Sequence, residues 1–255
     1  MDDLQSLLGN LQKDISSMKP DGVPLQYKNG SYIYGFTTKK NGDARKAENI
    51  EDLVKELGIK PETIVRPTQS HGTNISVIDE KVEKRTVEIK DCDGLVTKQK
   101  NVLLSVMTAD CVSVIFVDMK NGVIGVSHQG WKGSLARMAQ KMVDKMVETG
   151  AEKGTIQCIL GPSIGEECYG VEKERYSQFK NEFFTYYHLF AKEKEGKYSL
   201  NLNELNVQQL LEAGIGITNI SSVEKCTSCE KEMFFSYRRD SKEDFGEMLS
   251  YILQQ

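Results

Sequence analysis

The apolar positions of this chain follow two rhythms. Between residues 4 and 18, Leu4, Leu7, Leu8, Leu11, Ile15 and Met18 recur at helical spacing. The stretch KPDGVP then breaks the pattern. Residues 31–38, SYIYGFTT, alternate and predict a strand. Ala47, Ile50, Leu53, Val54 and Leu57 predict a helix that Gly58 stops. Short strands are expected over 62–66, 74–78, 93–97, 102–107, 111–117 and 122–127. Leu135, Met138, Met142, Val143 and Met146 then form the apolar stripe of a helix running from Ser134 to near Glu148. A strand at 155–160 precedes the turn GPSIGEECYGV. Helices are expected over 172–191 and 203–213, strands near 217–223 and 233–237, and a helical tail over 243–254. No internal repeat, low-complexity tract or linker interrupts the pattern. Mixed strands and helices without strict βαβ alternation predict one α/β (α+β) domain over residues 1–255, its mixed sheets layered and flanked by helices.

Composition narrows the function classes. The chain has 255 residues, enough for a substantial core without staples. Its net charge of -4 argues against nucleic acid as the main partner. No run of about 18 apolar residues predicts a membrane span. The start, MDDLQSLLGN, is acidic and unlike a signal peptide, so a cytoplasmic protein is expected. Six cysteines, at 92, 111, 158, 168, 226 and 229, are then expected as thiols or ligands rather than disulfides. Only three histidines occur, His71, His128 and His188.

Three polar residues interrupt apolar strands. His71 stands in QSHG between two strands, Cys111 in ADC where one strand ends and the next begins, and His128 closes GVIGVS before QGWKGS. Strand ends are where loops gather and sites form. A cysteine in CVSVIF is also an ordinary small buried hydrophobe, and separations of 40 and 17 residues form no compact ligand motif. Spacing alone therefore leaves Cys111 open as a packing residue, a nucleophile or a ligand. Gly72, Gly130 and Gly133 would let other groups approach closely. HQGWKGS leads into a helix with Ser134 as its expected N-cap. Free N–H groups there favour an anion, with Lys132 adding charge, although an ordinary strand-to-helix turn reads the same way.

The pieces QSHG, DCDGLVT, TADCVSVIF, SHQGWKGS, GPSIGEECYGV and CTSCEKEMFFSYRRD occur in that order. Together they resemble the YfiH family of multicopper polyphenol oxidoreductase or laccase-domain proteins, over residues 31 to 240. That family also holds proteins described as purine nucleoside phosphorylases and as peptidoglycan editing factors. The resemblance implies a layered α/β domain related to cysteine hydrolases in architecture. It implies a zinc ion held by His71, Cys111 and His128, with Asp93 and Asp110 beside it. It carries Gln69 of QSHG, Arg238 and Arg239 over as substrate or phosphate contacts. Where the family has an Arg and a Gly-Gly pair, this chain reads TTKKNGDAR, so Lys40, Gly42 or Arg45 is expected to serve the anion. Asn201 stands where an Asp is common, and FGEML replaces a late Gly-Arg.

Two imidazoles and a thiolate suit Zn²⁺, and three protein ligands leave a fourth position for water or substrate. Such a site also accepts copper. A multicopper oxidase needs further histidines, and the remaining one, His188, lies in the aromatic stretch FFTYYHLF, where packing is expected. The resemblance thus implies phosphorolysis of purine nucleosides, with adenosine deamination as a second activity. Asp93 or Asp110 would move protons, and Lys132, Arg238, Lys40 or Arg45 would hold phosphate. The alternatives at this point are a hydrolase with Cys111 as nucleophile and His128 as base, acting in peptidoglycan precursor editing, and, behind it, a copper-dependent polyphenol oxidase or a metal-binding protein without turnover. The pair Cys226 and Cys229 in CTSC reads as loop packing, a redox dithiol or half a zinc ribbon. Cys92, Cys158 and Cys168 read as structural.

Overall fold

The computed structural model describes residues 25–80, 84–240 and 245–255. The helix expected over 4–18 lies outside them. Among the described residues, two six-stranded sheets and one small sheet form. The first sheet holds β1 (Leu25–Asn29), β2 (Tyr32–Phe36), β3 (Thr63–Thr68), β5 (Thr86–Lys90), β7 (Val102–Thr108) and β15 (Met248–Gln254), in the order β1-β2-β15-β7-β3-β5. The second holds β4 (Ile75–Ile78), β6 (Gly94–Thr97), β8 (Val112–Asp118), β9 (Val123–Gln129), β10 (Gln157–Leu160) and β14 (Ile220–Ser222), in the order β14-β10-β8-β9-β6-β4. The small sheet is β11 (Gly170–Val171), β13 (Lys197–Leu200) and β12 (Ala191–Lys194).

The strands read as continuous apolar runs because both their faces are buried. In β8, Val112, Val114 and Phe116 face one core, while Ile115 and Val117 face another. The second of these cores lies between the two large sheets and also takes Val65, Leu104 and Ile252. On the outer face of the second sheet pack α3 (Met138–Glu148) and α5 (Leu202–Glu212), while α4 (Lys173–Glu182) packs on β12 and β13 of the small sheet and joins the same core. On the outer face of the first packs α1 (Ala47–Glu56), through Ile50, Leu53 and Val54. The result is a helix–sheet–sheet–helix layering, the mixed α/β architecture expected. Each fully buried Leu, Val, Met or Phe contributes about 1.5–3 kcal/mol.

Several elements differ from expectation. The tail is strand β15, paired to both β2 and β7, rather than a helix. Leu249, Tyr251 and Leu253 face α1 while Met248 and Ile252 face the other sheet, so its period of two is hidden under apolarity on both sides. The helix expected from Ser134 is two pieces, α2 (Trp131–Leu135) and α3, separated by Arg137 in the left-handed region (φ 62°). Gly130, not Ser134, is the N-cap; Ser134 is buried and its hydroxyl accepts from Asn206. The long helix over 172–191 ends at Glu182. His188 then lies in a short 3₁₀ turn, exposed rather than packed. Residues 233–237 form an irregular segment between two turns, not a strand.

The chain's path between the two sheets positions the site. It crosses from the first sheet to the second three times at one end: from β3 to β4, from β5 to β6 and from β7 to β8. Each crossing contains a non-glycine residue with positive φ: His71 (60°), Asp91 (49°) and Asp110 (84°). Such backbone persists where its surroundings hold it, and it clusters at functional sites.

Candidate active site

The three crossings deliver His71, Asp93, Asp110 and Cys111 to one rim. His128 arrives there at the end of β9, opposite Ser113 of β8 in the antiparallel register. Its backbone N–H donates to the Asp93 carbonyl at 2.8 Å. The ligand atoms of His71, Cys111 and His128 all lie within 4.8 Å of one another. The two imidazole rings meet edge to face, 4.7 Å between centroids.

Asp93 organises this cluster from behind. It is fully buried, and its carboxylate accepts from the backbone N–H groups of Ser70 (3.2 Å), His71 (3.1 Å) and Gly72 (2.8 Å). It also accepts from the Ser70 hydroxyl and faces Nδ1 of His128 at 2.8 Å. With Nδ1 committed to Asp93, His128 presents Nε2 as its ligand atom, the usual arrangement behind a metal-ligating histidine. Burial pushes the Asp93 carboxyl up, but the hydrogen bonds from His128 and Gly72 outweigh it and hold it at about 2.

Burial likewise raises the Cys111 thiol, and the charge of His128 with hydrogen bonds from both histidines brings it down to about 7. Burial lowers the proton affinity of His128, whereas Cys111 and Asp93 lift it to about 10. Each of the two groups thus favours the charged form of the other. Gly130 closes the cradle. A Cβ there would lie 3.1 Å from Cys111 Sγ and 3.1 Å from His71 Cδ2. Gly133 serves similarly, its Cβ position being 3.0 Å from the Gly72 carbonyl oxygen. Two imidazoles and one depressed thiol, converging with room between them, fit a single borderline-soft divalent cation.

The cluster opens into a cavity of about 460 Å³. Four aromatic side chains stand in its walls: Trp131, Tyr169, Tyr237 and Phe245. Two arginines of the lining itself stand over rings. The Arg175 guanidinium lies 4.2 Å from the Trp131 ring centre and that of Arg238 5.1 Å from the Tyr169 ring centre. Glu247 completes the lining. Burial raises its carboxyl above the ordinary value against the opposing pull of Arg45 and His128.

The structure sorts the residues expected from sequence. His71, Cys111, His128, Asp110, Gln69 and Arg238 line the cavity. Gln69 spends its side-chain amide on the backbone of Met107, donating to its carbonyl and accepting from its N–H, each at 2.8 Å. Asp110 accepts from the Thr227 hydroxyl and the Arg238 backbone N–H, both at 2.6 Å, so it fixes a turn. Asp93 lies behind His128 rather than in the lining. Arg239 is spent elsewhere, donating to the carbonyls of Thr227, Ser228 and Phe234 and to Asp240. Lys132 is exposed beside Trp131 and outside the lining, and Lys40 is exposed as well. Arg45 pairs with Asp43 and stacks on Phe245 at 4.6 Å, one side chain removed from the cavity. Asn201 caps α5, accepting from Glu204 N–H at 3.0 Å. Sequence reasoning missed Trp131, Tyr169, Arg175 and Glu247. The first two stand inside quoted motifs, and Glu247 stands in FGEML, but only the fold turns them to one space.

Residues 31–255 match the family model described as multi-copper polyphenol oxidoreductase laccase. This chain belongs to that family. A purine nucleoside phosphorylase of Deinococcus radiodurans is 34% identical over 242 residues, 88% of this chain and 90% of that protein. Adenosine deaminase RL5, from an unknown prokaryotic organism, is 34% identical over 193 residues, 73% of this chain and 74% of its own. Among solved structures, the Bacillus licheniformis hypothetical protein YfiH superposes with a TM-score of 0.80 at 31% identity, covering 88% of this chain and 93% of that one. YlmD of Geobacillus stearothermophilus gives 0.79 at 30% identity, with coverage of 89% and 93%. These neighbours share the fold and the YfiH-family membership. Among the described residues no helix is long and apolar enough to cross a membrane.

Proposed function

We propose that this protein is a zinc-dependent purine nucleoside phosphorylase that also deaminates adenosine, working in the cytoplasm. One observation carries the reading. A His/Cys/His donor set opens into an aromatic cavity in which two guanidinium groups stand over the rings. The names of the relatives, purine nucleoside phosphorylase and adenosine deaminase, point to the same substrate class.

A purine is flat and aromatic, and the faces of Trp131 and Tyr169 suit it. Phosphate needs cations, and Arg238 and Arg175 supply planar donors for it. In phosphorolysis a phosphate oxygen attacks C1′ of the ribose and the bond from C1′ to N9 breaks. The electron pair leaves with the purine, which takes a proton. Glu247, whose carboxyl burial raises above its ordinary value, lines the cavity and is the acid we assign to give one. In deamination water adds at C6 and ammonia leaves. Zinc held by His71, Cys111 and His128 would supply Lewis acidity for that addition. Asp93 keeps His128 in the tautomer that presents Nε2.

The deciding assay is the pure, zinc-loaded protein with inosine, with and without phosphate. Hypoxanthine released only with phosphate is the expected outcome. No hypoxanthine in phosphate would sink the phosphorylase reading.

A second reading rests on a specific observation. Cys111, His128 and Asp93 form a thiolate–imidazolium–carboxylate series, the order of a cysteine hydrolase. It predicts amide or ester turnover in metal-free protein that iodoacetamide abolishes. Phosphorolysis that chelation removes and zinc restores would decide against it.

A further inference from the structure

We propose that Cys168, Cys226 and Cys229 form a second, structural zinc site that clamps two walls of the cavity. The three sulfurs lie within 4.8 Å of one another, although Cys168 is about sixty residues from the other two in sequence. Sγ of Cys168 and Sγ of Cys229 are 3.4 Å apart. That is well beyond a bonded pair, at about 2.05 Å. A tetrahedral zinc with bonds of about 2.3 Å to sulfur sets its ligands about 3.8 Å apart. The 3.4 Å separation lies slightly inside this value, and the other two sulfur pairs lie under 4.8 Å. Three convergent thiols also leave one over from any disulfide, whereas all three serve one soft cation. Cys229 is exposed, so water can complete the fourth position.

The turns carrying these thiols are built for approach. Cys226 Sγ accepts from the Gly165 N–H at 3.1 Å, a bond that suits a thiolate. Cys226 also bridges to Ser163, and the Thr227 N–H donates to the Ser163 carbonyl at 3.0 Å. The 3₁₀ turn Glu166–Cys168 is thereby docked on the CTSC turn before any ion binds.

The position explains what an ion would do. Tyr169, next to Cys168, lines the cavity. Thr227, between Cys226 and Cys229, donates to Asp110, the neighbour of Cys111. An ion across the three thiols ties the Tyr169 wall to the turn that holds Asp110. It acts on the cavity's shape and touches no substrate. The inference stands apart from the nucleoside reading, because it concerns ion count and not turnover.

The test counts zinc by elemental analysis in the full chain, purified under reducing conditions, loaded with zinc chloride and desalted. Two ions per chain are expected in the wild type and one in Cys111→Ala. One is also expected in Cys229→Ser, an exposed position where folding should survive. The double variant should hold none, with far-ultraviolet circular dichroism confirming that each is folded. Cobalt added to Cys111→Ala should give a thiolate-to-cobalt charge-transfer band that the added Cys229→Ser substitution removes. One zinc in the wild type that Cys111→Ala removes completely would overturn the proposal. So would a wild-type chain lighter by two hydrogens, with a disulfide mapped within this trio, because that makes the thiols a redox pair.

Discussion

The Asp93 carboxylate and the Nδ1 of His128 face each other at 2.8 Å, both side chains buried. This pairing decides which imidazole nitrogen reaches the cluster. It also joins the QSHG turn to the end of β9, because the same carboxylate collects the N–H groups of residues 70 to 72.

Asp93→Asn should therefore weaken zinc at the His/Cys/His site by about 10–100-fold, the usual cost of losing the partner behind a ligand. Competition with a chromophoric chelator measures it. Unchanged affinity would mean that Asp93 supports the turn alone.

Gly130→Ala tests the cradle. The added methyl would press on Cys111 Sγ and His71 Cδ2 at 3.1 Å. Zinc affinity should fall within the same about 10–100-fold range while the melting temperature stays close to wild type. A variant that binds zinc as tightly as the parent would show the cluster to be looser than the geometry implies.

The thiol supplies a pH prediction for metal-free protein. His128 and His71 outweigh burial and hold Cys111 at about 7 rather than at its ordinary 9.0. Alkylation by iodoacetamide tracks the thiolate, so its rate should rise with pH through a midpoint near 7. Below that midpoint the thiol is protonated and slow. Saturating zinc should protect it. A midpoint at the ordinary cysteine value would remove the thiolate–imidazolium pair.

The two adjacent arginines should separate cleanly. Arg239→Ala strips donors from three backbone carbonyls and breaks the contact with Asp240, and should destabilise by about 2–3 kcal/mol in urea unfolding. Arg238→Ala loses donors to the Gly170 (3.0 Å) and Cys168 (3.5 Å) carbonyls at an exposed position, so it should cost less, about 1 kcal/mol, and raise the KM for phosphate, about tenfold for each 1.4 kcal/mol lost. The reverse pattern would reassign the phosphate contact.

Glu247→Gln should keep zinc content and fold, and lower kcat for inosine phosphorolysis by about 10²-fold, the lower end for a lost general acid. A change in KM alone would make Glu247 a binding contact instead.

Much of the architecture is written along the chain. The amphipathic stripe of Met138, Met142, Val143 and Met146 is buried as its spacing requires. Helices 47–56 and 202–212, and the strands from 63 to 129 apart from β5, which no expected strand covers, fall within a few residues of their patterns. His71, Cys111 and His128 stand out locally as polar residues at strand ends, but only the family resemblance joined them into one ligand set. Folding alone decided the rest, for identifiable reasons. β15 hides its alternation because two cores claim its two faces. Asp93 differs from any buried carboxylate only through partners at residues 70–72 and 128. Arg238 and Arg239 are neighbours in sequence, yet Arg238 lines the cavity and donates to the Gly170 carbonyl, while Arg239 is held by three other carbonyls and Asp240. Cys168 meets Cys226 and Cys229 only when two distant turns dock. Local pattern determined which segments would be buried and which residues broke the pattern. Chain crossings between the two sheets decided which of those residues share one space, since that depends on contacts far apart in sequence.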